Sequence, residues 1–444
     1  MDQSFFVKTY GCQMNQYDSE KIDELLVNNG FKKAKNFEMS DVAILNTCHI
    51  REKASEKFYS DLGRLSIFKK NKEKIGEKMQ IVVMGCVAQA EGHEVIKRNS
   101  LVDYVVGPQN IQSIPKLLKT KSKEVVHTNF LCEEKFSLLP KSHLQGVSRQ
   151  ITIQEGCDKF CSFCVVPYTR GNEYSRSVEE IYAEAKNLIK NGALEINLLG
   201  QNVSSYNSHI FNVSEKKLVD LSKLCNILSS ITELKRIRYI TSHPSDINDE
   251  LILEHKNNKK LMPFLHLPVQ SGSNKILKKM NRKYSKESYI NLITKIKREV
   301  KNMAFSSDFI VGYPGETDND FQETLDLIDK VVFASSYSFK YSSRPGTPAS
   351  LIKDKIDDSI LNKRLNKIQK VLNEQQRSFN ETFLDREIDV LFTNSGKKIN
   401  QYVGRTPFLQ PVHVFSSSNL VGKILKIKIE RLTSFSFHGR ILSS

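Results

Sequence analysis

Nowhere in the 444 residues does an apolar run approach the roughly 18 residues that a membrane-spanning helix requires. The opening stretch MDQSFFVKTYGC lacks the basic segment followed by an apolar core that marks a secretory leader, so the chain is expected to work in the cytoplasm. There is no internal repeat and no low-complexity tract, and 39% hydrophobic with 26% charged residues suits a soluble protein of two or three globular domains. Acidic residues are in deficit: 50 Asp and Glu stand against 66 Lys and Arg, a net charge of +16. That balance favours a polyanionic partner such as RNA, DNA or a membrane surface, although solvated lysines alone also produce it. Cysteine is not scarce, but the eight cysteines do not argue for disulfides in a compartment that keeps thiols reduced. Where they cluster, metal binding or catalysis is the better expectation.

Three stretches near the N-terminus, SFFVKTYGC, SDVAILNTC and KMQIVVMGC, each pattern as a short strand ending in a cysteine and followed by a helical segment. The cysteines are Cys12, Cys48 and Cys86, about one βα unit apart. In a parallel α/β sheet, residues just past the strand ends gather on one edge, so these three are expected to converge. Singly, each has the ordinary alternative of a buried thiol; together they suggest a shared metal site. Residues 116–148 lose periodicity and are expected to be a connector, in which Cys132 has no assigned role. Beyond it, RQITIQEGC, LEINLLGQNV, KRIRYITSHP, MPFLHLPVQSGS, AFSSDFIVGYPGET and SYSFKYSSRPGT pattern as six strands of a barrel or partial barrel. Between the first two, Ser177 with Glu180 forms a capping box and Gly192 ends the helix. A helix over about 356–384 leads to residues 391–444, where eight basic residues face one acid, Glu430. Alternation in GKILKIKIERL predicts a small β-barrel with a basic face. Phe408, Phe415, Phe435 and Phe437 are interleaved with those charges, most of them expected in the core and the remainder available to stack on bases.

The sharpest motif is QEGCDKFCSFCVVPYTRG, in which Cys157, Cys161 and Cys164 fall within eight residues and no fourth cysteine or histidine follows nearby. Structural zinc takes four ligands in a closed tetrahedron, which three thiols do not supply; catalytic zinc stays open as an alternative. Three thiolates instead suit a [4Fe-4S] cluster with one iron left for a substrate or cofactor. Gly156 and Ser162 allow the loop to fold tightly, and Phe160 and Phe163 are candidates to shield a cluster from water.

The CxxxCxxC spacing after a first barrel strand resembles the radical S-adenosylmethionine superfamily. That resemblance implies that the open iron chelates the amino and carboxylate groups of S-adenosylmethionine, whose reductive cleavage yields a 5′-deoxyadenosyl radical. TYGCQMNQYDSE, NTCHIREKASEK, MGCVAQAEG, LPVQSGS and DFIVGYPGET extend the likeness to the methylthiotransferase branch over nearly the whole chain. It implies three domains: an N-terminal α/β domain at 1–118, a partial (βα)6 radical S-adenosylmethionine core at 143–375, and a C-terminal TRAM β-barrel at 378–444 that binds RNA. It also implies a second [4Fe-4S] cluster on Cys12, Cys48 and Cys86, from which a methylated sulfur is delivered. Gln13, Met14, Asn15 and CVVPYTRG resemble the members that add methylthio at C2 of N6-isopentenyladenosine next to the tRNA anticodon. Other members act on N6-threonylcarbamoyladenosine or on a ribosomal-protein aspartate, and a non-catalytic iron-sulfur RNA-binding protein is the reading from a different class. The implied partners are a tRNA anticodon stem-loop and an electron donor such as flavodoxin or ferredoxin, with no membrane and a monomeric chain. For the cofactor, Gly200, Gln201 and Asn202 stand where relatives carry a GGE-like turn, and Gly312, Pro314 and Gly315 form a turn at a strand end that either approaches adenine or is an ordinary βα loop. Lys423, Lys426, Lys428 and Arg431 are the expected RNA contacts, Arg344 is a candidate for a phosphate, and His243 and His266 are expected to be packed rather than ligating.

Overall fold

The computed structural model describes residues 3–49, 52–120, 124–130, 132–140, 144–210 and 217–442. Strands β1 (Ser4–Thr9), β2 (Lys32–Lys33), β3 (Val42–Thr47), β4 (Gln80–Gly85), β5 (Tyr104–Val106) and β6 (Val126–His127) form one sheet in the order β2-β1-β3-β4-β5-β6. Every pairing in it is parallel. A parallel sheet covered by helices on both faces needs strands apolar on both sides, and β3 is buried at every position. Ile44 and Val82 pack with Ile22 and Leu26 of the helix Gln13–Asn28, while Ala43, Leu45 and Val83 meet Phe58 and Leu62 of the helix Glu52–Lys74. The sheet runs on to β6, inside the stretch expected to be a connector, because a two-residue strand leaves no period in the sequence.

The middle of the chain contains the six expected parallel strands. These are β7 (Ser148–Thr152), β10 (Glu195–Leu199), β13 (Arg236–Tyr239), β14 (Phe264–His266), β15 (Ala304–Val311) and β16 (Ser335–Lys340), with two short hairpins, β8 (Gln154–Glu155) with β9 (Tyr174–Ser175) and β11 (Asn207–Ile210) with β12 (Lys217–Asp220). They pair as β7-β10-β13 and β14-β15-β16, joined by a parallel bridge between Ile237 and Leu261. β7 and β16 are the free edges, so the barrel is partial, around a core that includes Ile196, Ile237, Leu265 and Phe309. Ser177 Oγ accepts the Glu180 N–H at the start of the helix Val178–Lys190, which is the Ser177 half of the expected capping box.

The helix Asp358–Glu381 leads into a closed barrel of β17 (Glu387–Ser395), β18 (Gln401–Arg405), β19 (Pro411–Phe415), β20 (Ile424–Leu432) and β21 (Phe437–Ile441), ordered β17-β18-β19-β21-β20. Two buried arginines of β13 seat it: Arg236 donates to the carbonyls of Arg405 and Asp389, and Arg238 to those of Thr406 and Pro407 while pairing with Glu195 at 2.8 Å. Planar guanidinium donors satisfy several carbonyls at once, which fixes the small barrel in orientation as well as position.

Candidate metal centres

Register explains how the first three cysteines meet. β3 pairs with β4 at an offset of 38 residues (Thr47 opposite Gly85) and with β1 at an offset of 37 (Thr9 opposite Asn46). Extending the first offset sets Cys48 opposite Cys86, and extending the second sets Cys48 opposite Gly11, so Cys12 lies one residue further along. Gly11 has φ +121°, and a side chain there would run into Cys48. Cys12 caps the helix Gln13–Asn28, and Asn15 Oδ1 accepts from both its N–H (3.4 Å) and its thiol (3.1 Å). The Asn15 amide in turn donates to Asn46 Oδ1 and the Thr47 carbonyl, both at 3.0 Å, which ties the ends of β1 and β3 together. A hydrogen bond with Cys48 lowers the Cys12 thiol to about 6 against its burial, with Arg170 assisting. Burial pushes Cys86 the other way, opposed by the Arg170 charge. Beside Cys48, the buried Nδ1 of His49 has no hydrogen-bond partner among the described residues.

The second set sits in a lobe at the carboxyl end of β7, closed by the β8–β9 hairpin. Gly156 has φ +83° and abuts the Asn172 carbonyl, leaving no space for a Cβ. The Cys157 N–H donates to Gly171 O (3.2 Å), Ser162 N–H to Met280 O (3.0 Å), and Ser162 Oγ to Lys279 O (2.9 Å). The loop is thus held by backbone and serine contacts that do not use the thiols. Burial pushes Cys157 up to about 11 and Cys164 up to about 12. Arg282 donates to Cys161 Sγ at 3.4 Å, its fork fixed by Pro268 O (2.6 Å) and Tyr284 Oη (2.7 Å). Phe163 packs with Ile276, Met280 and Tyr313, whereas Phe160 projects outward, about half exposed, in a left-handed conformation.

Among the described residues, no three His, Cys, Asp or Glu side chains are placed to share a single metal ion. A mononuclear zinc site would need its thiolates crowded about 2.3 Å from one point. A [4Fe-4S] cluster instead takes each of three thiolates on a different iron, which three cysteines per set supply. The donor chemistry agrees: each set has three thiols and an arginine against one of them. Sequence reasoning passed over both: Arg170 stands inside the cysteine motif without an assigned role, and Arg282 lies 121 residues from Cys161 with no local signal.

The other expected residues fall differently. Gln201 Oε1 accepts the Gly156 N–H (2.6 Å), so it positions the cysteine lobe. Asn202 is buried and committed, its N–H to Gln154 Oε1, its amide to Asp246, and its Oδ1 to Ser204 and His243. Gly200 lies against the Gln154 side chain. A side chain at Gly312 would strike Leu361, Pro314 is buried, and the Gly315 N–H meets Asp354 O, so the inner face of that turn is taken by the helix Asp358–Glu381 and its lead-in. Arg344 lies near His49 and helps to lower its pKa, although burial is the larger cause. His243 is held down to about 2 by burial and by Arg282 and Lys159, and His266 bonds Ser306 Oγ at 2.9 Å; both are packed.

On the small barrel, Ile427 and Ile429 point inward while Lys423, Lys426 and Arg431 are exposed; Lys428 is half-buried and 3.7 Å from Asp385. Fewer phenylalanines fill its core than expected: Phe437 is buried and Phe408 packs on Phe379 and Phe383, but Phe415 and Phe435 are 56% and 72% exposed. Hydrophobicity alone did not reveal this, because an exposed stacking ring and a core ring look the same in sequence. A cavity of about 750 Å³ lies on the open side of the partial barrel, lined by Gln150, Asn197, Tyr337, Arg405, Phe408 and Phe435. Its strand residues come from β7, β10, β14 and β16 of the partial barrel and from β17, β18 and β19 of the small barrel, and it contains none of the six cysteines.

The Radical SAM superfamily model matches residues 151–328, and the model described as Uncharacterized protein family UPF0004 matches residues 4–107. The chain is 49% identical over 447 residues to a protein of Rickettsia canadensis named tRNA-2-methylthio-N(6)-dimethylallyladenosine synthase, covering 99% of this chain and 100% of the relative. It is 51% identical over 416 residues, 92% of each, to the protein of that name from Wolbachia pipientis subsp. Culex pipiens. Among solved structures, the radical S-adenosylmethionine methyltransferase TsrM of Kitasatospora setae aligns at TM-score 0.57 and 12% identity, over 79% of this chain and 77% of that one. The cobalamin-dependent radical enzyme OxsB aligns at 0.54 and 11%, over 83% and 56%. These two likenesses are of fold.

Proposed function

The chain belongs to the tRNA-2-methylthio-N6-dimethylallyladenosine synthase family, and from that membership we propose how its own residues carry the reaction. The protein is an enzyme that transfers a methylthio group to C2 of N6-isopentenyladenosine next to the anticodon of tRNA, with S-adenosylmethionine and two [4Fe-4S] clusters as cofactors. We assign one cluster to Cys157, Cys161 and Cys164 and the other to Cys12, Cys48 and Cys86. When bound, they supply reductive cleavage of S-adenosylmethionine and the transferred sulfur, respectively. The observation that carries the assignment is the edge built by β1, β3 and β4, whose register brings Cys12, Cys48 and Cys86 together as a second set of three.

In this reading Gln201, Ser162 and the Gly156 turn hold the first loop open towards the cofactor, with Asn202 buttressing behind. The Gly312 turn acts as a brace, since its inner face is filled by Leu361. Lys423, Lys426, Lys428 and Arg431 neutralise tRNA phosphates, and exposed Phe415 and Phe435 offer rings for stacking. Among the described residues no helix is long and apolar enough to cross a membrane. We place the enzyme in the cytoplasm as a monomer served by a flavodoxin- or ferredoxin-like donor; sedimentation at twice the chain mass would contradict the monomer.

Reconstituted protein with reductant and S-adenosylmethionine, offered tRNA bearing N6-isopentenyladenosine, unmodified adenosine or N6-threonylcarbamoyladenosine, is expected to methylthiolate only the first. Product on the threonylcarbamoyl tRNA would overturn the substrate assignment. Removing two phosphate contacts with Lys423→Ala and Lys426→Ala is expected to raise KM for tRNA about tenfold with kcat unchanged. An unaltered KM would remove these lysines from the RNA face.

A further inference from the structure

Four charged side chains, each no more than 2% exposed, close a ring between the two cysteine sites. Lys135 Nζ pairs with Asp18 Oδ1 and Glu155 Oε2, and Arg170 pairs through Nη2 with Asp18 Oδ2 and through Nη1 with Glu155 Oε1, all at 2.8 Å. The ring is neutral overall, and its members come from four segments. Asp18 lies on the helix that Cys12 caps, Glu155 two residues before Cys157, Arg170 six residues after Cys164, and Lys135 in the helix Cys132–Leu138. Buried ion pairs of this kind seldom add net stability over apolar packing, and their best-attested use is to fix one arrangement. The Arg170 backbone is fixed too, its carbonyl accepting from Gln109 Nε2 at 2.6 Å. The helix Val166–Arg170 packs on the helix Cys86–Glu91, which sets Arg170 beside the N-terminal thiols; its charge favours the thiolates of Cys86 and Cys12, and the Asp18 carboxylate opposes it at Cys86.

We propose that Arg170 is a positioning residue of the N-terminal cysteine site: the ring holds its guanidinium against Cys86 as a permanent buried counter-charge to whatever anionic centre Cys12, Cys48 and Cys86 carry. The inference rests on the assignment of a cluster to those cysteines. Adding one electron makes such a centre more negative by one unit, so a fixed neighbouring cation favours the reduced state and raises the potential. Lys135 contributes through the ring alone.

The test uses full-length protein with Cys157, Cys161 and Cys164 replaced by alanine, so that one cluster remains to be titrated spectroscopically. In that background Asp18→Asn with Arg170→Gln removes one anion and one cation and leaves the Lys135–Glu155 pair. It is expected to retain iron while the reduced-to-oxidised ratio at fixed potential falls about tenfold, about 59 mV for a one-electron couple. Lys135→Gln with Glu155→Gln breaks the ring equally but keeps Arg170, and is expected to leave that ratio within about twofold. Arg170→Lys keeps both ion pairs but withdraws the fork from Cys86, with an expected fall of about threefold. Equal shifts in the two double variants would overturn the proposal, as would an unchanged ratio in Arg170→Lys, even where Asp18→Asn with Arg170→Gln yields no folded protein. Absence of any cluster from the parent background would overturn the assignment of the N-terminal cysteines and this inference with it.

Discussion

Replacing Cys12, Cys48 and Cys86 together with alanine is expected to abolish methylthiolation of tRNA while leaving S-adenosylmethionine cleavage intact. The variant should still release 5′-deoxyadenosine at a rate within about threefold of wild type, because the cysteine lobe after β7 is anchored independently of the N-terminal thiols. Its anchors are Cys157 N–H to Gly171 O, Ser162 to Met280 O and Lys279 O, and Gly156 N–H to Gln201 Oε1, all from the barrel region. Mass analysis of nucleosides from treated tRNA, with chromatography of 5′-deoxyadenosine, reads both arms. Residual methylthio product would show that the three cysteines do not supply the sulfur, and loss of 5′-deoxyadenosine would show that the sites are not separable.

The converse variant, Cys157→Ala, is expected to bring both products to background. One ligand of three is lost, and the remaining two thiolates leave the cluster without a third anchor. Misfolding does not explain such a loss: deleting one partly buried sulfur forfeits on the order of 1–2 kcal/mol against a typical total of about 5–15 kcal/mol. Circular dichroism and tRNA binding should therefore match wild type. A Cys157→Ala protein that still made 5′-deoxyadenosine would remove Cys157 from the first cluster.

The convergence of Cys12, Cys48 and Cys86 was legible because strand patterning and a 36- and 38-residue spacing nearly equal the sheet's register offsets of 37 and 38. The six barrel strands and the small closed barrel were legible for the same reason, a clear period bounded by turns. The ring of Asp18, Lys135, Glu155 and Arg170 was not, since its partners lie up to 152 residues apart and no local pattern marks an ion pair closed by tertiary packing. Arg282, 121 residues from Cys161, escaped on the same ground. Gln201 and Asn202 were placed beside the cofactor from their position in a motif; their bonds to Gly156 and Asp246 come from tertiary packing, which no local pattern marks. The exposed Phe415 and Phe435 show the same limit on the small barrel.

The central claim is that this chain builds two independent three-cysteine cluster sites, and iron and sulfide content of anaerobically prepared protein tests it most directly. Wild type should hold about eight irons and about eight sulfides per chain, and the Cys12, Cys48, Cys86 and the Cys157, Cys161, Cys164 triple alanine variants about four of each. A wild-type value near four that the N-terminal triple variant leaves unchanged would contradict it.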